Sequence, residues 1–360
     1  MAGAAGAIGG VAAVVQAQAT KPAIDGLVRV AQIGAQGHYS HIVRGIPKLP
    51  DCKLVAVARS YPDEDLKPIM RTPAWSRDLK VFDDYRQMLD EVKPTVASVF
   101  APFAHNGRVS IEAVRRGCHV ISEKPLAGSL DDLKRLKAER DKAGVRVTAV
   151  LPMRLAPAFQ AARKAVADGA IGEPVLISAQ KSYQWDSTRN WIYKSEKDYG
   201  GTIPWVAIHA VDYIRFVTGL EFAEVTARQA VKVHRDYPAC ADCGGLLFVM
   251  SNGGQATITF DYLRPAKAAS HGDDRLRVAG SEGIVEIRLA DKPWCELATN
   301  KDEPRPLALP KDAPNLFVDF VESLRGLHPH YLPPDDPFID TEVCLKARDA
   351  AEQGTTVKLL

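Results

Sequence analysis

Short apolar runs recur along the first 150 positions, each followed by a longer polar stretch with helical spacing. The runs Leu27–Ile33, Lys53–Ala58, Thr95–Phe100, Cys118–Ile121 and Val145–Leu151 read as buried strands. Between them, His41–Ile46 can start a helix before Pro47, and Phe82–Val92, Asn106–Arg116 and Leu130–Lys142 carry helical patterns. Strands separated by helices in this rhythm predict a parallel, doubly wound α/β sheet over residues 25–150. After Leu151 the pattern changes. A helix, Ala156–Asp168, precedes a strand, Pro174–Ala179, and a loop bearing Trp185 and Trp191. A second helix runs from Gly200-Gly201 to Gly219, with Pro204 acceptable near its first turn. Then come alternating strands at Val225–Val233, Gly245–Met250, Ala256–Tyr262, Leu276–Ala279 and Ile284–Leu289. Residues 151–360 are thus expected to form an α+β domain around a large, mostly antiparallel sheet. The terminal helices Asn315–Leu324 and Ile339–Glu352 could pack on either domain.

Composition adds exclusions rather than chemistry. The 360 residues are 46% hydrophobic and 25% charged, enough for two domains with separate cores. Lys plus Arg (46) nearly balance Asp plus Glu (44), and no basic block or aromatic-basic interleave occurs, which argues against nucleic acid as a partner. Of six scattered cysteines only Cys240 and Cys243 lie close together, and a zinc site would need a second such pair, so no metal is expected. Residues 1–20 carry no charge, are rich in Ala and Gly, and end in Ala17-Gln18-Ala19, a pattern of signal-peptide cleavage sites without the basic start such peptides have. The segment 1–24 is set apart as signal-like or flexible, too weakly apolar for a membrane span. Location stays open: cytoplasmic as written, exported if residues 1–20 are the remnant of a signal peptide.

Chemistry concentrates at strand ends. The run closing at Ile121 stops at Glu123-Lys124-Pro125-Leu126-Ala127. Pro125 fixes its own φ and biases Lys124 towards an extended conformation, so the lysine is held at a strand's carboxyl end, where open α/β sheets bind ligands. A lysine there can bind an anion, or exchange a proton if burial or a nearby cation lowers its pKa. The bland alternative is a solvent-exposed Glu-Lys pair. The first strand runs into Gly34-Ala-Gln36-Gly37-His38-Tyr39, a strand–glycine–helix context suited to a dinucleotide pyrophosphate. Gln36 and Tyr39 stand where the second and third glycines of G-x-G-x-x-G would be, and Gly37 could let the backbone approach the phosphates in a shifted register. The second strand ends in Arg59-Ser60, a cation and a hydroxyl that suit the 2′-phosphate of NADP, with NAD the alternative.

Taken together, these residues resemble the Gfo/Idh/MocA oxidoreductases over about residues 27–355. The shared features are Glu123-Lys124-Pro125-Leu126-Ala127, Ala101-Pro102 after the fourth strand, the turn Asp168-Gly-Ala-Ile-Gly172-Glu-Pro, and the helix Gly200-Gly201…His209…Asp212. The resemblance implies a nicotinamide cofactor in the first domain, with His105, Glu123 and Pro125 among its contacts. It also implies a sugar, cyclitol or similar polyol between the domains, Lys124 and His209 as catalytic residues, and a homo-oligomer, dimer or tetramer. This chain departs from the family pattern at the shifted glycine turn and at Asn106, where a histidine is usual. It departs again at Trp205, which replaces the acid four residues before the histidine.

Hydride transfer needs a base for the hydroxyl proton. Lys124 beside a positively charged oxidised nicotinamide would have a lowered pKa, while His209 would titrate near neutrality. Asp212, three residues after His209 on the same helical face, could take the place of the missing acid or pair with Arg215 instead. Arg154, just past the domain boundary, could bind a substrate hydroxyl or bridge the domains, and Trp205 could be a sugar-stacking platform or plain packing. Two other classes stay open: a hydrolase of this fold that oxidises a glycoside transiently, and a cofactor-binding sensor without turnover.

Overall fold

The computed structural model describes residues 23–311 and 314–360; the signal-like segment 1–20 lies outside the described residues. Strands β1 Val28–Ile33, β2 Cys52–Ala58, β3 Lys80–Phe82, β4 Val96–Val99, β5 His119–Ser122 and β6 Val147–Ala149 form one sheet in the order β3-β2-β1-β4-β5-β6. Every neighbouring pair in it is parallel. The interleaved helices are α1 Ser40–Val43, α2 Lys67–Met70, α3 Tyr85–Val92, α4 Asn106–Arg115 and α5 Leu130–Ala143. All residues of β4 and β5 are buried, as expected for strands covered on both faces. Strand order reverses between β1 and β4, so a crevice opens beyond their carboxyl ends. The pattern missed β3. Phe82 closes that short strand, and the helix begins at Tyr85 behind Asp84, whose carboxylate accepts the Arg86 N–H as an N-cap.

The second sheet holds β7 Pro174–Gln184, β8 Phe222–Ala230, β9 Cys243–Met250, β10 Gln255–Arg264, β11 Gly272–Gly280, β12 Gly283–Leu289, β13 Trp294–Thr299, β14 Arg305–Pro306 and β15 Thr356–Lys358. Their order is β14-β13-β12-β11-β7-β10-β9-β8-β15, antiparallel except for the β7–β10 pair. It is flanked by α6 Pro157–Ala167, α7 Asn190–Tyr193, α8 Glu196–Tyr199 and α9 Ile208–Thr218, with α10 Leu316–Leu324 and α11 Asp336–Gln353 near the end of the chain. The fold class is therefore the one the pattern predicts. Strand β7 runs on to Gln184 because Lys181 and Ser182, polar yet buried, continue it past the apolar run. The terminal helices divide. Phe317, Phe320 and Val321 of α10 join the first domain's core with Val28, Ile42 and Val96, whereas Cys344, Leu345 and Ala347 of α11 join a larger cluster that runs from the first sheet (Val120, Ala149) into the second (Val225, Phe248).

The helix expected from Gly201 to Gly219 opens with a π-helical turn, Ile203–Ala207, before α9, and Gly219 closes it in the left-handed region at φ +70°. Five of the six cysteines are buried, Cys243 being the exception. Among the described residues no helix is long and apolar enough to cross a membrane, and no cluster of His, Cys, Asp or Glu is placed to hold a metal.

Candidate active site

Strand β5 stops at Ser122, and both residues after it, Glu123 and Lys124, are fully buried. The solvent-exposed pair is thereby ruled out. Asn106, at the start of α4, ties the strand ends together. Its Oδ1 accepts the Ala101 N–H at 3.1 Å, and its Nδ2 donates to the carbonyls of Glu123 and Pro125, each at 3.3 Å. An amide supplies both the acceptor and the donors this bracing needs, which explains how the chain tolerates Asn106 where the resemblance expects a histidine.

The Glu123 carboxylate reaches across to the glycine turn. It accepts the backbone N–H of His38, the His38 Nδ1 at 3.0 Å and the Lys124 N–H at 3.0 Å. Gly37 permits this approach: its φ is +64°, and a Cβ there would overlap the carboxylate. The close approach seen at Gly37 is thus that of a carboxylate. Burial alone would raise the Glu123 pKa, but His38 and Lys124 outweigh it and hold the group below its ordinary value. A carboxylate only accepts, so His38 donates through Nδ1 and its Nε2 carries the lone pair. Burial lowers the His38 pKa and Glu123 pulls the other way, leaving a net lowering.

Lys124 lies under Trp205. Its Nζ donates to the Trp205 carbonyl and sits 3.1 Å from the centroid of the indole, while Phe103 stacks on the indole's other face at 3.3 Å and 7°. Neither face is open, so the structure corrects the reading of Trp205 as a stacking platform. Its Nε1 has no partner and is the polar atom it can still offer. Desolvation lowers the Lys124 pKa well below the usual lysine range; Glu123 opposes this, and Arg189 and Lys181 add to it. His209, 1% exposed, has no hydrogen-bond partner on either ring nitrogen. Burial first, then Lys181, Lys124 and His38, push its pKa well below 6.5, so the expected titration near neutrality is not what this environment produces. Its ring meets His38 edge-on at 6.2 Å.

Asp212 does not replace the missing acid. It accepts Arg154 Nε at 2.6 Å, and Arg154 Nη1 pairs with Asp336 at 2.6 Å. Arg215, the other partner considered for Asp212, pairs with Asp340 at 2.9 Å and with Glu221 at 2.7 Å. Burial raises the Asp212 carboxyl despite Arg154, and burial with the Asp212 charge raises Asp340 well above the usual range. Of the two roles open to Arg154, the geometry is that of a buried bridge, joining the segment after β6 to α9 and α11 through Nε and Nη1, while Arg154 Nη2 and Asp212 Oδ2 make no hydrogen bond.

At the other end of the crevice, Arg59 donates to the Glu64 carbonyl at 3.1 Å and pairs with Asp83. The buried Glu64 carboxylate accepts Ala35 N–H at 2.9 Å, Gln36 Nε2 at 3.0 Å, Ser60 N–H at 2.8 Å and Ser60 Oγ at 2.7 Å. Both groups read as 2′-phosphate ligands are thus engaged by acids. Tyr39 precedes α1 and meets Phe100 edge-on at 6.5 Å. Ala101 and Pro102 are buried, and His105 spans to the second domain through Asp198 at 2.8 Å. Glu64 was not singled out from sequence, although the acidic run Asp63-Glu64-Asp65 was visible. Also missed were Arg189, whose guanidinium lies 5.5 Å from the Trp205 ring, and the buried Lys181–Asp274 pair at 2.5 Å.

The glycine turn lies at the carboxyl end of β1, where open α/β sheets bind ligands; Gly34 and Gly37 take positive φ, a Cβ at Gly34 would overlap the Phe100 carbonyl, and the Ala35 N–H is taken by the Glu64 carboxylate. Residues 28–150 match the family model described as "Oxidoreductase family, NAD-binding Rossmann fold", and residues 159–286 match the "GFO/IDH/MocA C-terminal domain". A Thermotoga maritima structure provisionally described as an oxidoreductase is similar at 32% identity and a TM-score of 0.86, covering 92% of this chain and 100% of that one. The uncharacterised oxidoreductase YrbE of Bacillus subtilis is 25% identical over 287 residues, 76% of this chain and 78% of its own. The scyllo-inositol 2-dehydrogenase (NAD(+)) of the same organism is 24% identical over 263 residues, 72% of each. Other relatives bear the names of sugar and inositol reductases and dehydrogenases. With both halves matched in order, and with the parallel sheet, glycine turn and buried strand-end lysine in place, the chain belongs to the Gfo/Idh/MocA family of oxidoreductases, with an NAD-binding Rossmann domain.

Proposed function

We propose that the protein moves a hydride between a nicotinamide cofactor and a secondary alcohol or ketone of a sugar, cyclitol or related polyol, with Lys124 as the proton acceptor. The observation that carries this reading is the burial of Lys124 at the end of β5, where desolvation lowers its pKa and favours the free amine over the ammonium. Gly34, Gln36, Gly37, Tyr39, Ser60, Ala101 and Pro102 line the turns that would hold the cofactor, which supplies the hydride acceptor when bound. In the oxidative direction the Lys124 amine takes the hydroxyl proton. His209, neutral and unpartnered, offers one donor and one acceptor to orient the substrate, and Trp205 Nε1 offers a further donor. For the cofactor itself, a 2′-phosphate near Ser60 would meet the Glu64 carboxylate, whereas ribose hydroxyls could donate to it. That favours NAD over the NADP that Arg59-Ser60 suggested. A sensor without turnover is the second reading, favoured by the indole that caps Lys124.

The test is to identify the co-purified cofactor by mass and then screen sugars, cyclitols and polyols for stoichiometric change in nicotinamide absorbance. Conversion supports the dehydrogenase. Aglycone release without net absorbance change points instead to the hydrolase, and tight cofactor binding with no conversion of any compound points to the sensor.

A further inference from the structure

A proton taken up in the oxidation must leave the site. Lys124 is 0% exposed and His209 is 1% exposed with no partner, so neither has a path to water of its own. His38 differs from both. Its side chain is 29% exposed, it follows Gly37 in the glycine turn, and its ring lies 6.0 Å from the indole that caps Lys124 and 6.2 Å from His209. Its Nδ1 is fixed on the buried Glu123 carboxylate at 3.0 Å, which leaves the Nε2 lone pair as the free end of the imidazole.

Building on the dehydrogenase reading, we propose that His38, oriented by Glu123, is the proton shuttle between Lys124 and solvent. The family resemblance expects an acid one turn before His209 to support a histidine; here an acid supports a different histidine of the site, Glu123 holding His38 on the cofactor side of the cleft. In the oxidative direction the carbinol carbon loses a hydride and its hydroxyl proton passes to the Lys124 amine. The resulting ammonium yields that proton to His38 Nε2, directly or through water. The imidazolium, its Nδ1–H still on the Glu123 carboxylate, releases the proton to bulk water. Lys124 returns to the free amine and Glu123 stays ionised throughout, so one hydroxyl proton enters and one leaves.

The charged and titratable groups facing His38 are Glu123 and Lys124 at the end of β5, His41 in α1, His209 in α9, Arg189 before α7 and His271 before β11. Glu123 is the only anion among them. Removing its charge should therefore make His38 a weaker base. Gly37 serves the same arrangement, since no residue with a Cβ leaves room for the carboxylate.

The test has two arms. In the first, histidine NMR titrations compare the full chain with Glu123→Gln, using His38→Gln to assign the signal. The His38 titration should move to lower pH in Glu123→Gln, and an unmoved titration overturns the proposal whether or not a substrate has been found. In the second, His38→Ala should lower kcat about ten- to a hundredfold with little change in KM, and added imidazole should restore most of it. A loss that imidazole does not restore, or one confined to cofactor affinity measured by fluorescence titration, makes His38 a structural residue or a cofactor ligand only and overturns the shuttle. If the wild-type protein converts no polyol, it is the dehydrogenase reading that fails, and the titration arm still decides whether Glu123 tunes His38.

Discussion

Replacing Trp205 by alanine tests the link between burial and base strength. The indole is 1% exposed, stacked on Phe103 at 3.3 Å and capped by Lys124 Nζ at 3.1 Å, so the substitution removes a full aromatic contact surface and a cation–π contact together. Truncating a buried Trp to Ala costs about 3–5 kcal/mol, of which the cation–π contact would account for about 0.5–2 kcal/mol. Desolvation is the largest cause of the lowered Lys124 pKa, so water admitted into the cavity raises it towards the ordinary lysine value. The oxidative rate rises with pH as the amine forms, and its rising limb should therefore move to higher pH in Trp205→Ala. Urea unfolding measures the stability loss, and the pH dependence of kcat/KM measures the limb. Trp205→Phe keeps an aromatic face against both neighbours and serves if the alanine protein folds poorly; its limb should lie between the two. A variant that loses the expected stability but keeps the wild-type pH profile would show that the titrating base is not Lys124.

Three further perturbations probe the rest of the site. Arg154→Ala leaves the buried Asp212 carboxylate without its cation, and Asp340 with Arg215 alone, and should cost about 3–5 kcal/mol in urea unfolding, with KM for the polyol nearly unchanged; a large rise in KM at full stability would restore the substrate-binding role. Gly37→Ala forces a side chain into the left-handed region, at about 1–2 kcal/mol, and against Glu123, so cofactor affinity by fluorescence titration should fall at least tenfold; wild-type affinity would contradict the geometry. Glu64→Gln removes the negative charge beside Ser60 and should shift the NAD/NADP affinity ratio towards NADP by about tenfold, whereas an unchanged ratio would place Glu64 away from the ribose.

The parallel sheet was legible because strands covered on both faces are mostly apolar, and β1, β2, β4, β5 and β6 each coincide with such a run to within one residue or lie inside it. Strands β3, β14 and β15 escaped because two or three residues carry no period, and β13 because Trp294 and Glu296 break its apolar pattern on the exposed face. At the site, Glu123 and Lys124 could be placed at a strand end from Pro125 alone, but their burial is a tertiary fact with no local marker. The same holds for Asp212. Helical spacing puts it on the His209 face, yet Arg154, 58 positions away in sequence, captures it. Glu64 sits in a loop whose acidic run says nothing of where it folds. Trp205 was recognised as anomalous for want of an acid, but the sandwich between Lys124 and Phe103 needed the π-helical turn and the loop after β4 to be seen together.

The central claim is that the buried lysine at the end of β5 is the base for hydride transfer. Lys124→Met keeps an unbranched apolar stem in a buried position and removes only the amine. Loaded with cofactor and mixed with a converted polyol, this variant should bind NAD(H) as tightly as the wild type while its nicotinamide absorbance changes at least a hundredfold more slowly, the lower end of the range for a lost general base. An absorbance change within tenfold of the wild-type rate, at equal cofactor occupancy, would contradict the account.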